Sequence, residues 1–159
     1  MSRRPDLLRP TVSEPAQLAA APYTLQAGFL TAFFGGPLAA AAMLGVNAWR
    51  LRRLPRDAGW IALIAVGFVA WLAFMHRTEA GQALHLQMVD AVGRNAMSLA
   101  ARLFALVACL GGAWLHRREQ RSADLFGLER PRGLGLGVLL ILLGWGASHL
   151  LGLALSEPR

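Results

Sequence analysis

Four long apolar stretches alternate with polar segments along this chain. They cover about residues 24–48, 58–75, 95–115 and 133–155, and each approaches the ~20 residues that an α-helix needs to cross a bilayer. The pattern predicts an all-α polytopic membrane protein, a bundle of about four transmembrane helices within residues 23–159. Residues 1–22 hold four of the eight prolines, and we expect them to form a disordered polar arm.

The polar segments between these stretches differ in character. Residues 49–57 read as a short basic turn, in which Pro55 ends one helix and Asp57 caps the next. Residues 116–133 read as a longer polar loop. In residues 76–94, Leu84 and Met88 recur at helical spacing opposite Asp90, which predicts an amphipathic helix lying at the membrane interface.

The composition agrees with a membrane environment. The chain is 55% hydrophobic, its mean hydropathy is +0.44, and only 16% of its residues are charged, whereas soluble domains average about 25%. A soluble core of this length leaves too little polar sequence to cover so much apolar surface. We therefore expect lipid to be the main partner of the chain.

The basic residues predict a membrane orientation. All 16 basic residues are arginine and the net charge is +7, a usage typical of GC-rich bacterial genomes. The arginines flank apolar stretches, with four in residues 49–57, five in 116–133, two in 76–94 and one at the C-terminus. Positive residues favour the cytoplasmic side, so both arginine-rich loops are predicted inside a bacterial inner membrane and both termini outside. No nucleic-acid partner is expected.

Small residues form stripes along the first and last apolar stretches. In lipid, helices associate through close backbone approach, which small residues permit. Pro37 is expected to bend the first helix by removing a backbone hydrogen bond. Packing within the chain is the favoured interpretation of these stripes, and a seam with a second copy or another membrane protein is the alternative. The predicted packing residues are Gly28, Ala32, Gly35, Gly36, Pro37, Ala40, Gly144, Ser148 and Gly152.

A group of residues near the start of the first stretch resembles a known pattern. Tyr23, Gln26 and Phe33, followed by FGGPLA at 34–39 and NAWR at 47–50, are similar to the start of a group of small bacterial inner-membrane proteins with an FxGGPLA-type segment. The resemblance implies about four helices and a polar loop before a glycine-rich last helix. The group has no assigned activity, so the resemblance implies an architecture and no function.

Few residues within the predicted spans suggest chemistry. None of the spans holds an interior Asp or Glu, and the only interior charge is Arg102, which we expect to extend toward the lipid headgroups. His76 and His149 fall at similar predicted depths, which would suit axial ligation of a haem or a shared metal. Ordinary interfacial histidines are the favoured interpretation, so no cofactor and no metal site are predicted.

The function class follows from these absences. No nucleophile motif, HExxH pair or phosphate loop occurs in the chain, so we predict no catalytic residue. A non-enzymatic accessory or interaction protein of the inner membrane is the favoured hypothesis. A small oligomeric transporter or channel is the alternative, and a haem- or metal-binding redox subunit is the third.

Overall fold

The computed structural model describes residues 21–125 and 127–156, and these residues form helices joined by short turns. The predicted all-α class is confirmed, since four helices of this described part are long and apolar enough to cross a membrane. The helices are α1 (Leu25–Arg50), α2 (Leu54–Arg77), α3 (Glu79–Val92), α4 (Ala96–Leu115), α5 (Arg117–Leu125) and α6 (Leu134–Ser156). Most of the predicted arm lies outside the described residues.

Two of the short elements differ from what the hydropathy pattern indicated. The segment 116–133 was expected to be a loop, but its first part forms α5, whose polar side chains include Glu119. Pro55 does not end a helix but lies in the first turn of α2, where its missing N–H needs no partner. Helix α3 occupies the predicted amphipathic segment, and only Gly81 of it is buried.

Helix α1 folds back on itself in the middle. Gly36 has φ 75° and ψ −168°, which breaks the helical backbone. The backbone N–H of Tyr23 donates a hydrogen bond of 2.9 Å to Oδ1 of Asn47, although a straight helix would separate these residues by about 36 Å. The apolar stretch is therefore a helical hairpin, with residues 25–35 as its first arm and 37–50 as its second.

The sequence GGP explains where the hairpin turns. Gly36 occupies a positive-φ conformation that is strained for any residue with a Cβ. Pro37 follows as the first residue of the second arm, a position where its fixed φ is favourable and its missing N–H is not needed. Gly35 faces α6 so closely that an added Cβ would lie 2.9 Å from the Cα of Ile141. The predicted bend at Pro37 is thus a full reversal, made by Gly36.

The hairpin lies at the centre of the bundle, between α2, α4 and α6. Its second arm packs through Leu44 against Ile64 of α2 and Ala108 of α4. On the side of α6, Ala27 and Met43 from the two arms share a core with Leu140. Gly35 and Pro37 are buried and Gly36 is partly exposed, so the reversed backbone lies against protein or lines a cavity, which is the condition for irregular backbone at membrane depth.

The reversal changes the expected arrangement of the chain termini. Ala21 and Arg50 lie together, since the Arg50 side chain donates a 3.1 Å hydrogen bond to the Ala21 carbonyl. The chain thus enters the bundle at the end that also holds the 51–53 turn, His116 and α5, hereafter the arginine-rich end. Helices α2 and α6 both finish at the opposite end, where Arg77 donates to the carbonyl of Ala154. The first and last described residues therefore lie at opposite ends of the bundle.

The tip of the hairpin stops inside the bundle. It lies beside Phe68 of α2 and Arg102 of α4. Helix α2 continues beyond Phe68 to Arg77, a distance of about 13 Å along its axis. The hairpin is therefore re-entrant: it penetrates from the arginine-rich end and turns back before the opposite end.

Candidate functional site

A cleft of about 360 Å³ opens at the tip of the hairpin. The turn residues Gly35, Gly36 and Pro37 form one of its walls. Two phenylalanine rings of the first arm, with aromatic rings and a few polar groups from α2, α4 and α6, form the others. These other lining residues are Phe33, Phe34, Phe68, Ser98, Ala101, Arg102, Trp145 and Ser148. Its volume lies within the range of small-molecule sites, and its lining is mainly apolar with few polar groups.

Arg102 is the charged residue of this cleft, hereafter the tip cleft. Its guanidinium lies over the ring of Phe33, 5.3 Å from the ring centroid, an arrangement favoured by the electron-rich ring face. The described residues that line the tip cleft include no acidic side chain. Arg102 is exposed in the bundle, so its predicted extension toward the headgroups stays a prediction beside this contact with the hairpin.

The backbone of the hairpin turn also lines the tip cleft, at Gly35, Gly36 and Pro37. The first turn of the second arm begins at Pro37, and N–H groups in the first turn of a helix have no partner within that helix. This end of the arm carries the positive end of the helix dipole. On the other arm, the carbonyl of Phe34 accepts a hydrogen bond from the indole N–H of Trp145. The first arm ends at the same place with the negative end of its own dipole, so the two helix dipoles oppose each other at the tip.

A second, smaller cavity lies at the arginine-rich end. Its volume is about 40 Å³, enough for a few water molecules. Both arms of the hairpin line it, together with the last turns of α4 and the start of α5. Its polar lining groups are Tyr23, Thr24, Asn47, Cys109, His116 and Gln120. We call it the inner cavity.

A buried ion-pair cluster borders the inner cavity. Nε2 of His116 lies 2.8 Å from Oδ2 of Asp57, and the two residues are only 2% and 1% exposed. Arg53 lies between this pair and α5, with its Nε 4.0 Å from Asp57 and its guanidinium in contact with Glu119. The cluster joins the start of α2 to α4 and α5, and it closes this end of the bundle.

Contacts within the hairpin reinforce this closure. The guanidinium of Arg50 stacks on the ring of Tyr23, 4.9 Å from the centroid. Asn47 holds the backbone of Tyr23, as described above, and Thr24 caps the first arm by accepting from the N–H of Ala27. The two ends of the hairpin are therefore fastened to each other at the arginine-rich end, beside the ion-pair cluster.

A seam of small side chains separates the two spaces. Ala32 and Ala40, from opposite arms, pack on Ala105 of α4, and Cys109 lies against this cluster. Ala32 and Ala105 are fully buried. Along α4 the seam runs from Arg102, in the tip cleft, to Cys109, in the inner cavity, which corresponds to about 10 Å. The barrier between the tip cleft and the inner cavity is thus about 10 Å thick along α4 and consists here of small side chains, with Leu44 packed against Gly112 beside it.

The remaining predicted packing residues serve different purposes. Gly144 lies so close to the hairpin that an added Cβ would approach the Gly35 carbonyl oxygen to 2.6 Å. Gly28 meets Cys109 at an ordinary van der Waals distance of 3.7 Å. An added Cβ at Gly36 or Gly152 meets nothing within 4 Å. Close helix approach therefore does not require glycine at 36 or 152, and Gly36 is instead the turn residue.

The histidines proposed as ligands lie apart from these sites. His76 and His149 are exposed on the surfaces of α2 and α6. Neither lines the tip cleft or the inner cavity. Within the described residues, no group of three His, Cys, Asp or Glu side chains is arranged to hold a metal ion. A role in ligation receives no geometric support from these positions.

Asp57 and His116 form a pair that their sequence neighbours do not indicate. Asp57 was assigned to capping, but α2 begins at Leu54 without a side-chain cap, and the carboxylate is buried against His116 instead. The two residues are 59 positions apart, and each stands next to arginines that suggest solvent exposure. One sequence feature does point to the pair. Asp57 lies just inside one apolar helix, and His116 directly follows the end of another apolar helix that runs antiparallel to it.

No family model, curated protein or solved structure matches this chain. The resemblance drawn from residues 23–50 therefore stays a prediction. The residues that carry it are those that build the hairpin. Tyr23, Asn47 and Arg50 fasten its ends, and Gly36 with Pro37 forms its turn.

Proposed function

We propose that this protein is a small membrane transporter, in which the re-entrant hairpin and α4 line the path of the solute. The observation that supports this most is the pair of spaces on one hairpin–α4 seam. The tip cleft opens at the hairpin turn, and the inner cavity lies at the hairpin ends. A purely structural bundle has no need of cavities at both ends of one thin barrier.

The broken helix supports the same proposal. Interrupted helices at membrane depth are found where backbone is buried in protein or lines a cavity, and transporters use such half-helix ends to contact solutes. Here the interruption at Gly36 lines the tip cleft. The favoured sequence hypothesis, an accessory protein, explains the stripes of small residues but gives no reason for a reversal at this position.

The ion-pair cluster is the proposed closure of the path. In this conformation Asp57, His116, Arg53 and Glu119 hold the arginine-rich end shut, while the tip cleft is wide. Opening of that end would require these pairs to part and the hairpin to shift along α4. The seam of alanines suits such a shift, because small side chains do not interlock. Enclosure of a complete path by so few helices favours an oligomer.

The arginine-rich end is proposed to face the cytoplasm of a bacterium. The loops at this end carry four and five arginines, and the arm, whose Arg3, Arg4 and Arg9 lie outside the described residues, joins the bundle there. The segment 76–94 at the opposite end carries two. With a hairpin, the arm lies on the same side as the two arginine-rich loops, as the positive-inside rule favours. A first helix that crossed the membrane would place the arm's arginines on the opposite side from those loops.

Accessibility of the single native cysteine tests the proposal without a known solute. Cys109 lines the inner cavity, and a second reporter, Ala101→Cys in a Cys109→Ser background, lines the tip cleft. Membrane-impermeant maleimide is applied to right-side-out and inverted vesicles. We expect position 101 to react from outside and Cys109 only from inside, faster when His116→Gln loosens the closure.

Two results would contradict a transporter. Protection of Cys109 from both sides, in the native chain and in His116→Gln alike, would favour a sealed accessory bundle. Reaction of position 101 and Cys109 from the same side would show that the tip cleft and the inner cavity do not face opposite compartments. Leu110→Cys in the Cys109→Ser background, at an exposed lipid-facing position of α4, is the matched control for reagent that leaks through lipid.

A further inference from the structure

The charge distribution of the tip cleft selects the kind of ligand. Arg102 contributes a full positive charge and forms no ion pair with any described residue. The helix ends at the hairpin turn add little net field, because the dipoles of the two arms oppose each other there. Because no acidic side chain lines the described cleft, a cation would meet the charge of Arg102 with no carboxylate to offset it. An anion would gain a charge-assisted hydrogen bond from Arg102.

The remaining lining selects the rest of the ligand. The ring of Phe33 lies against the guanidinium, and the rings of Phe34, Phe68 and Trp145 line the same cleft. Such surfaces bind flat apolar groups through offset or edge contacts. The hydroxyls of Ser98 and Ser148 and the single guanidinium provide few polar contacts. A polyanion or a fully hydrated inorganic ion would leave much of its charge unsatisfied in this cleft.

We propose that the tip cleft binds an amphipathic monoanion, with its anionic head on Arg102 and its apolar body between the aromatic rings. This inference deepens the transporter proposal, on which it rests for its biological meaning, by naming the solute class. The head is a carboxylate of a free organic acid or the phosphate of an anionic lipid. Both present oxygens to a guanidinium in the same way.

This inference is tested by the binding of 2-naphthoate to the protein in phosphatidylcholine nanodiscs. The readout is quenching of tryptophan fluorescence. Removing a charged hydrogen-bond partner costs enough to weaken binding about ten-fold or more, so we expect that loss for Arg102→Gln and partial recovery for Arg102→Lys. Arg94→Gln, at an exposed position near the same end, should bind like the native chain. The neutral analogue 2-naphthamide should bind weakly to all.

A further variant and a second lipid distinguish the possible sources of the anion and control for misfolding. Ser98→Leu fills the cleft without altering its charge, and it should also weaken naphthoate binding. If phosphatidylglycerol in the nanodisc competes with naphthoate in the native chain but not in Arg102→Gln, the natural head is a lipid phosphate. If it does not compete, the natural head is a soluble acid. Either result supports an anion site.

Other results would overturn the inference. Equal naphthoate affinity in Arg102→Gln and the native chain would show that the Arg102 guanidinium does not contribute to binding. Equal affinity for naphthamide and naphthoate would show that charge is not recognised. These failures are distinct from failure of the transporter proposal, because opposite-side labelling of positions 101 and 109 does not depend on the ligand.

Discussion

Alanine in place of Gly144 should destabilise the protein, while the same change two residues later should not. An added Cβ at Gly144 would lie 2.6 Å from the Gly35 carbonyl oxygen and 2.9 Å from the Cβ of Ala39. The nearer contact is backbone at the hairpin turn, so relief requires movement of α6 or of the hairpin. Overpacking of this kind costs about 1–3 kcal/mol. The gain in helix propensity from Gly to Ala, up to about 1 kcal/mol, offsets part of that.

Gly146 is the matched control on the same helix. An added Cβ there meets nothing within 4 Å, so only the propensity gain remains, up to about 1 kcal/mol. We therefore expect Gly144→Ala to unfold at a lower temperature than the native chain in detergent, and Gly146→Ala at an equal or higher one. A Gly146→Ala variant as unstable as Gly144→Ala would refute the packing of α6 on the hairpin turn.

Three further predictions concern the hairpin turn, the ion-pair cluster and the orientation. Gly36→Ala should cost about 1–2 kcal/mol through its positive φ alone, whereas Gly152→Ala, like Gly146→Ala, should be neutral or stabilising by up to about 1 kcal/mol; equal thermal unfolding of Gly36→Ala and Gly152→Ala would contradict a strained turn. His116→Ala leaves the buried Asp57 carboxylate without its partner and should cost about 3–5 kcal/mol. Adding Asp57→Asn should recover part of that loss, and no recovery in chemical unfolding would mean that the pair is not coupled. Reporter fusions should place the N-terminus and residue 54 on one side and residue 85 on the other.

The fold class could be read from the sequence, because apolar runs of membrane-spanning length have few alternatives. The reversal within the first run could not be read in this way. A hairpin of two short arms and a single crossing helix have the same length and hydropathy, and only local backbone conformation distinguishes them. The adjacent Gly36 and Pro37 carried that information, yet the pattern also fits a bent helix. The three arginines of the arm were a second indication of the reversal. A crossing first helix would place them on the side opposite the arginine-rich loops, against the positive-inside rule.

The candidate site shows the same division between local and long-range information. Arg102 could be singled out, because a charge within an apolar run is evident from the sequence alone. Its placement beside Phe33 depends on the hairpin and could not be inferred without it. Asp57 and His116 meet only because α2 and α4 are antiparallel and in register at their ends, and nothing in their immediate neighbours shows this.

The distance between the two ends of the first apolar segment tests the re-entrant hairpin most directly. Spin labels at Leu25→Cys and Trp49→Cys, both exposed positions, are introduced in a Cys109→Ser background and measured by pulsed electron resonance in nanodiscs. Labels at positions 54 and 77 of α2 serve as the control, for which a straight helix gives about 35 Å. The hairpin predicts a separation for 25 and 49 well below that of the control. A continuous helix gives about 36 Å between positions 25 and 49. A measured separation near that value would contradict the hairpin, and with it the tip cleft and the inner cavity.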